Sequence, residues 1–335
     1  MSDYRTSIVT GDFVGSAWNA SPTWTPYAEA IASNYTIQVP WYWSTFESLS
    51  RASGAPPPRF TNTMRPFLYD VLIVGASITA VNPAQTITFL DNIYLNITHR
   101  ETGLRWATAN EIGYFHILSL CGSDGFFGGF PVGRPMPIMR LPEAFFLPKG
   151  TQLQFDWTLY APPLQAPVID FIFTLIGIHL TGGSAPDFIT LPGDAGSIRV
   201  GSRVPWFSTI PIGDLTSSNQ SSFVLQPGAE VTRFWPPEDC NIEIHGAYIN
   251  LLPNNSTLIT MKLTDMGEQK FWTPSRSPAP SFIGYETMVD PAFPLTKPYL
   301  LKHGHRLRLV SLNNTTAPLA PASTVTLTGV RRCQF

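Results

Sequence analysis

The sequence is written twice, and that constrains the fold more than any other feature. Val39-Pro40-Trp41-Tyr42 returns as Val204-Pro205-Trp206-Phe207, and the strand Val71 to Ile78 returns as Ile242 to Ile249, each closing on Gly-Ala-x-Ile. Trp106 is echoed by Trp272, Phe145 to Leu153 by Tyr299 to Leu307, and Phe173 to Ile178 by Val325 to Val330. The separations are 165 residues (39 to 204), 171 (75 to 246), 166 (106 to 272), 154 (150 to 304) and 152 (177 to 329). One such match is weak. Five in the same order, with drift of loop size, describe one structural unit used twice. The largest drift, 12 residues (166 against 154), falls between the third and fourth matches. Copy one holds there the glycine- and phenylalanine-rich stretch Cys121 to Phe130, which copy two lacks. An insertion in one copy marks a surface loop, where added length costs little.

Each copy reads as strands. Apolar runs lie within Tyr69 to Ile78, Ile87 to Ile97, Leu153 to Tyr160, Ile169 to Leu180, Glu243 to Leu252, Leu258 to Leu263 and Leu307 to Leu312, bounded by Gly, Pro, Asn or Asp. Leu153, Phe155, Trp157 and Leu159 alternate with Gln154, Asp156, Thr158 and Tyr160, the pattern of a half-buried strand. The 32 prolines and 25 glycines are spread too densely for long helices. One short helix is predicted over Pro26 to Ala32. The expected fold is all-β: two tandem jelly-roll-like β-sandwich domains related by internal duplication, with an immunoglobulin-like sandwich as the alternative. The expected boundaries are an N-terminal arm (residues 1–34), a first sandwich (35–182), a linker (183–203) and a second sandwich (204–335).

Charge bears on what such a chain does. Hydrophobic residues make up 44% of it, an ordinary globular share, but charged residues only 13%, against about 25% in typical soluble domains. A subunit whose surface is covered by neighbours needs less charge to stay dispersed than a monomer does. The net charge is -2, and the densest basic cluster is Lys302, His303, His305, Arg306 and Arg308. Arg306 and Arg308 share one strand face, a solvated stripe too narrow for sequence-specific nucleic-acid binding. No apolar run reaches the roughly 18 residues of a membrane span, and the N-terminus lacks the apolar core of a signal peptide. Cys121, Cys240 and Cys333 are expected as free thiols in a reducing compartment, being too few and scattered for a disulfide framework or zinc ribbon.

The usual catalytic signatures are missing: no Gly-x-Ser-x-Gly elbow, phosphate-binding loop or His-Glu-x-x-His. The close pair His303 and His305 sits where copy one has Lys149-Gly150-Thr151, so it reads as a turn and not a metal site. His116, His179 and His245 lie in apolar strands, as hydrogen-bonded core histidines do. The carboxylates Asp124, Asp156, Asp170, Asp187, Asp194, Asp214, Glu238 and Asp239 could serve a glycosidase only if the fold paired two of them. No catalytic residue, cofactor or metal is expected. The candidate interface residues are Trp18 and Trp24 in the arm and Phe126, Phe127 and Phe130 in the inserted loop, since exposed aromatic residues are strong anchors between subunits.

Tandem sandwiches, low charge, abundant Pro, Ser, Thr and Asn and an N-terminal arm together resemble the double-jelly-roll capsid proteins of icosahedral viruses. Leu147-Pro-Lys-Gly and its partner Leu301-Lys-His-Gly also resemble strand entries in bacteriophage head, decoration and tail proteins. The resemblance covers residues 35–335 and implies a virion structural protein, made in the host cytoplasm, that binds copies of itself and other virion proteins. It further implies trimers or higher rings with pseudo-hexagonal packing. A receptor- or glycan-binding module is the alternative, with exposed tryptophans among Trp41, Trp43, Trp106, Trp206 and Trp272 stacking on sugars. The pairing of Trp41 with Trp206 and of Trp106 with Trp272 across the repeat favours packing instead.

Overall fold

A computed structural model of the chain describes residues 26–335 apart from 53–54, 82–92, 109–111, 121–138, 160–167, 192–195, 216–222, 251–258, 272–276, 279–283, 286–292, 317, 319–323 and 334–335. Trp18, Trp24, Phe126, Phe127 and Phe130, with Cys121 and Trp272, lie outside the described residues.

The β-branched and aromatic runs form strands as their period demands. In the first half these are β1 (Tyr35–Ser50), β2 (Arg59–Thr63), β3 (Asp70–Ala80), β4 (Ile93–His99), β5 (Phe115–His116), β6 (Met139–Leu147), β7 (Leu153–Leu159) and β8 (Val168–Gly183). They make two sheets of order β1-β8-β3-β6 and β2-β7-β4-β5. The connecting segment holds a small hairpin, β9 (Phe188–Thr190) with β10 (Ser197–Arg199). The second half has β11 (Arg203–Pro211), β12 (Asp214–Leu215), β13 (Phe223–Val224), β14 (Glu230–Phe234), β15 (Asn241–Asn250), β16 (Ile259–Asp265), β17 (Lys270–Phe271), β18 (Ser277–Pro278), β19 (Gly284–Tyr285), β20 (Phe293–Leu301), β21 (Leu307–Asn313) and β22 (Thr324–Arg332). Its sheets run β11-β22-β15, with β20 on the far side of β15, and β14-β21-β16-β17, with β18 also on β16. Both halves therefore have the strand order of a jelly roll, and the protein is an all-β sandwich chain.

The correspondence extends to single residues. Trp41 pairs with Gly177 and Trp206 with Gly329; Gly177 faces Ile73 and Gly329 faces Ile244. The central strand slips register between Ile73 and Gly75 in one half and between Ile244 and Gly246 in the other. At each slip the neighbouring strand comes so close that a Cβ on Gly177 would strike the carbonyl of Leu72, and one on Gly329 that of Glu243. Glycine is required at both places for clearance. The turns before β7 and β21 also match, with Gly150 and Gly304 at φ 85° and 74°, where an L side chain is strained.

Each sandwich buries its own apolar filling. Val71, Ile73, Phe145 and Phe173 meet Ile93, Leu95, Phe155 and Trp157 in the first half, and Trp206, Ile244 and Leu327 meet Met261, Leu263 and Leu309 in the second. Strand β7 is more buried than its alternation predicts, because Asp156 and Thr158 are covered as well. Asp156 is held by the hydroxyl of Thr61 (2.8 Å), the amide of Gln154 (3.0 Å) and the guanidinium of Arg59, which satisfies a carboxylate that burial would otherwise penalise.

The predicted helix forms as α1 (Pro26–Ala32). Its Tyr27, Ala28 and Ile31 are fully buried against Val74, Ile176 and Ile178 on the outer face of the first sheet, so this part of the arm is a strap on its own sandwich.

The cysteines correct the expectation of free thiols: Cys240 and Cys333 form a disulfide across a separation of 93 residues. Their spacing in sequence gave no sign of it. The sheet brings them together, because Asn241 pairs with Arg332 and the two flanking residues arrive with Cα atoms 4.9 Å apart.

Candidate assembly interface

All nine residues of β11 are buried, although a strand in a two-layer sandwich faces its core on one side only. The other side is covered by the first half. Phe207, on the outer face, stacks on Phe115 (ring centroids 4.3 Å) and on Trp106 (6.3 Å). Its backbone extends the contact: Thr108 N–H donates to Phe207 O and Phe207 N–H donates to Trp106 O, each at 2.9 Å. Nearby, His116 lies fully buried between Tyr94 and Tyr248, and the hydroxyls of Tyr94 and Thr324 are 3.1 Å apart.

Two carboxylates close the joint. Glu238, in the turn between β14 and β15, accepts from Thr108 Oγ1 (2.8 Å), Trp206 Nε1 (2.9 Å) and Arg331 Nη2 (3.2 Å). Arg331 also donates to Arg105 O, so one guanidinium spans both halves. Glu143, from β6, takes both its bonds from Arg203 Nη1 at 2.9 and 2.7 Å. Burial lifts the Glu143 carboxyl above its ordinary value, and the Arg203 guanidinium opposes that rise. Glu243 behaves the other way: burial raises it, but His245 and Arg332 outweigh burial and hold it below the usual range. Tyr27 of α1 joins the same cluster, accepting from Gly201 N–H at 2.8 Å with Arg203 over its ring; burial pushes its hydroxyl up to about 12. The halves are thus fixed by stacked aromatic rings, which specific interfaces enrich at their buried centre, and by paired charges.

The matching positions of the first half are exposed. Tyr42, Ser44 and Phe46 of β1 pair with Ile176, Thr174 and Ile172 of β8, as Phe207, Thr209 and Pro211 pair with Thr328, Thr326 and Thr324. Even the cross-strand hydroxyl pair recurs, Ser44 with Thr174 at 2.9 Å and Thr209 with Thr326 at 2.8 Å. Burial separates the two faces. Tyr42, Phe46 and Ile172 are 46%, 58% and 39% exposed, whereas Phe207 and Thr324 are 1% and 0% exposed.

Among the described residues, the tryptophans singled out for sugar stacking have their rings packed against the protein. Trp106 and Trp206 are buried, Trp43 stacks on Phe155 at 4.8 Å and Trp41 packs on Phe67 at 5.4 Å. His179 stacks on Tyr69 and His245 lies beside Glu243. His303 is exposed in the turn, while His305 Nδ1 is 3.3 Å from Asp265. Among the described residues no three His, Cys, Asp or Glu side chains are grouped to hold a metal ion, and no helix is long and apolar enough to cross a membrane. Sequence reasoning missed the open row of Tyr42, Phe46 and Ile172, and the joint residues Glu143, Arg203 and Phe115. The signal for the row was the run Trp41 to Phe46, apolar on both sides of a strand that could bury only one.

No family model matches the chain, and no curated protein matches it. Solved structures give remote likenesses. A peptide-N4-(N-acetyl-β-D-glucosaminyl)asparagine amidase is 12% identical, with 88% of this chain and 97% of that chain covered and a TM-score of 0.34. The CUB1-EGF-CUB2 region of human MASP-1/3 is 9% identical (85% and 99% covered, TM-score 0.17), and the infectious bursal disease virus VP2 subviral particle is 9% identical (99% and 86% covered, TM-score 0.16). At these scores none of them bears on function, which has to be argued from the geometry.

Proposed function

We propose that the protein is a structural component of a virus particle, bacteriophage particles included, and that it acts by self-assembly without catalysing a reaction. The observation that carries this reading is an apolar pair, Phe46 and Ile172, that stays exposed on the sheet of the first half, where the equivalent positions of the second half, Pro211 and Thr324, are buried. Low charge supports it, since only 13% of residues are charged. So does the locking of two sandwiches of one strand order, an internal duplication in this reading, into a unit that transmits load. The partners are copies of the chain and other virion proteins, joined through interfaces of the standard size of about 1,600 Å² or more. The carboxylates at the joint are consumed by structural partners, which fits a scaffold better than a hydrolase. The Cys240–Cys333 bond suits a particle that leaves the reducing cytoplasm.

The test is the mass in solution, measured by light scattering across a dilution series. A stable oligomer or shell is expected; a 37.0 kDa monomer that persists at high concentration would refute self-assembly. A second reading, glycan or receptor binding, is favoured by one feature. A cleft of about 370 Å³ between the β11 and β14 edges is lined by Arg233, Phe234, Pro236, Pro237 and Arg306. A glycan-array signal abolished by Arg306→Ala would favour it.

A further inference from the structure

We propose that the open face of β1 and β8 is where a second copy of this chain docks, presenting the flank of its second half. The contact would repeat, between molecules, the one that already joins the halves within each molecule. This rests on the self-assembly reading above and adds to it the face, the partner and the register.

Three observations lead there. The covered row in the second half and the open row in the first half occupy the same register positions on the same pair of strands. The open row carries the larger apolar side chains: Phe46 stands where the covered row has Pro211, and Ile172 where it has Thr324. Phe46 and Ile172 are direct cross-strand partners, exposed together; an adjoining apolar pair is costly to leave in water and is of the kind that marks interaction sites. The open row is also continuous with Ile176 and Ile178, which α1 already covers, so a partner would extend an existing layer.

The contact between the halves is head-to-tail, the flank of one against the sheet face of the other. Contacts of this kind close into rings when the rotation allows. Within the chain the flank is formed by β4 and β5, with Tyr94 reaching Thr324. In the second half, β16 and β18 hold those positions. Tyr94 pairs with His116 and Thr158, and Thr260 pairs with Pro278 and Leu312. Thr260 of the second copy is therefore placed against Ile172, as Tyr94 is placed against Thr324.

The experiment compares the full chain with Phe46→Arg and Ile172→Lys, using Phe234→Arg as a control because Phe234 is also exposed (51%) but lies on β14, at the far edge of its sheet from the β16 flank. Dissociation constants come from light scattering and sedimentation across a dilution series. Phe46→Arg and Ile172→Lys should weaken self-association by about 100-fold or more, as central anchors do, while Phe234→Arg leaves it unchanged. At concentrations low enough to keep wild type dissociated, melting temperatures should stay at the wild-type value in all three, since each side chain is exposed in the single chain. As a second readout, oxidation of the double variant Ile172→Cys with Thr260→Cys should give chain-to-chain cross-links that neither single variant gives. If wild type oligomerises but both face variants do so with unchanged affinity, or the double variant fails to cross-link in an intact oligomer, the contact lies elsewhere and the proposal falls. If wild type remains monomeric throughout, the self-assembly reading falls first and takes this proposal with it.

Discussion

Phe207 and Tyr42 hold the same place in the two halves, so replacing each with alanine isolates what the contact between halves contributes. Phe207 is 1% exposed, with its ring on Phe115 and Trp106. Phe207→Ala removes a fully buried ring and leaves a cavity that β11, pinned by backbone bonds to residues 106 and 108, has little freedom to collapse. Such truncations cost about 3–5 kcal/mol. Tyr42 is 46% exposed, so far less of its ring is withdrawn from water and Tyr42→Ala should cost about 1 kcal/mol or less. The difference, about 2–4 kcal/mol, is between one and three decades in the unfolding equilibrium. Urea titrations followed by tryptophan fluorescence, at concentrations low enough to keep wild type dissociated, would measure both. Equal losses, or a Phe207→Ala loss below about 1 kcal/mol, would refute the argument that the halves are held together at this ring.

Three further outcomes are expected. Gly177→Ala and Gly329→Ala each drive a Cβ into a carbonyl of the adjacent strand and should each lower stability by at least the roughly 1–3 kcal/mol of an overpacked site, read as a drop in urea midpoint; a loss in one half only would show that the matched bulges are not equivalent. Burial pushes the Asp265 carboxyl up, but the hydroxyl of Tyr299 and the backbone N–H groups of Glu268 and Gly267 outweigh it and hold the carboxyl below its ordinary value of 3.8. A lowered folded-state value means that the contribution is complete above pH 3.8 and is lost as pH falls through the folded-state value; Asp265→Asn should flatten the acid limb of the stability curve, and an unchanged limb would contradict this assignment. Replacing Cys240 and Cys333 together with serine opens a loop of 93 residues and should cost about 2–4 kcal/mol, with a thermal midpoint equal to that of reduced wild type.

Much of the fold was legible because strand formation and core burial are set locally. The alternation of Leu153, Phe155, Trp157 and Leu159, the glycines at 150 and 304, and the helix at Pro26 each express a period or a dihedral preference that neighbouring residues settle by themselves. Comparing the two copies added what one could not, since Trp41 with Trp206, Gly177 with Gly329 and Phe145 with Tyr299 occupy the same register positions in the two halves. Other features depend on residues far apart. Cys240 meets Cys333, and Glu143 meets Arg203, only because particular strands become neighbours. The burial of Phe207 and the exposure of Tyr42 have no local cause at all: the two stretches are nearly the same sequence. By itself the sequence determined which residues turn outward from each sandwich. Which of those outward faces is covered was decided by the tertiary structure, because the first half lies against the second half's sheet at Phe207, while the equivalent sheet positions of the first half stay exposed.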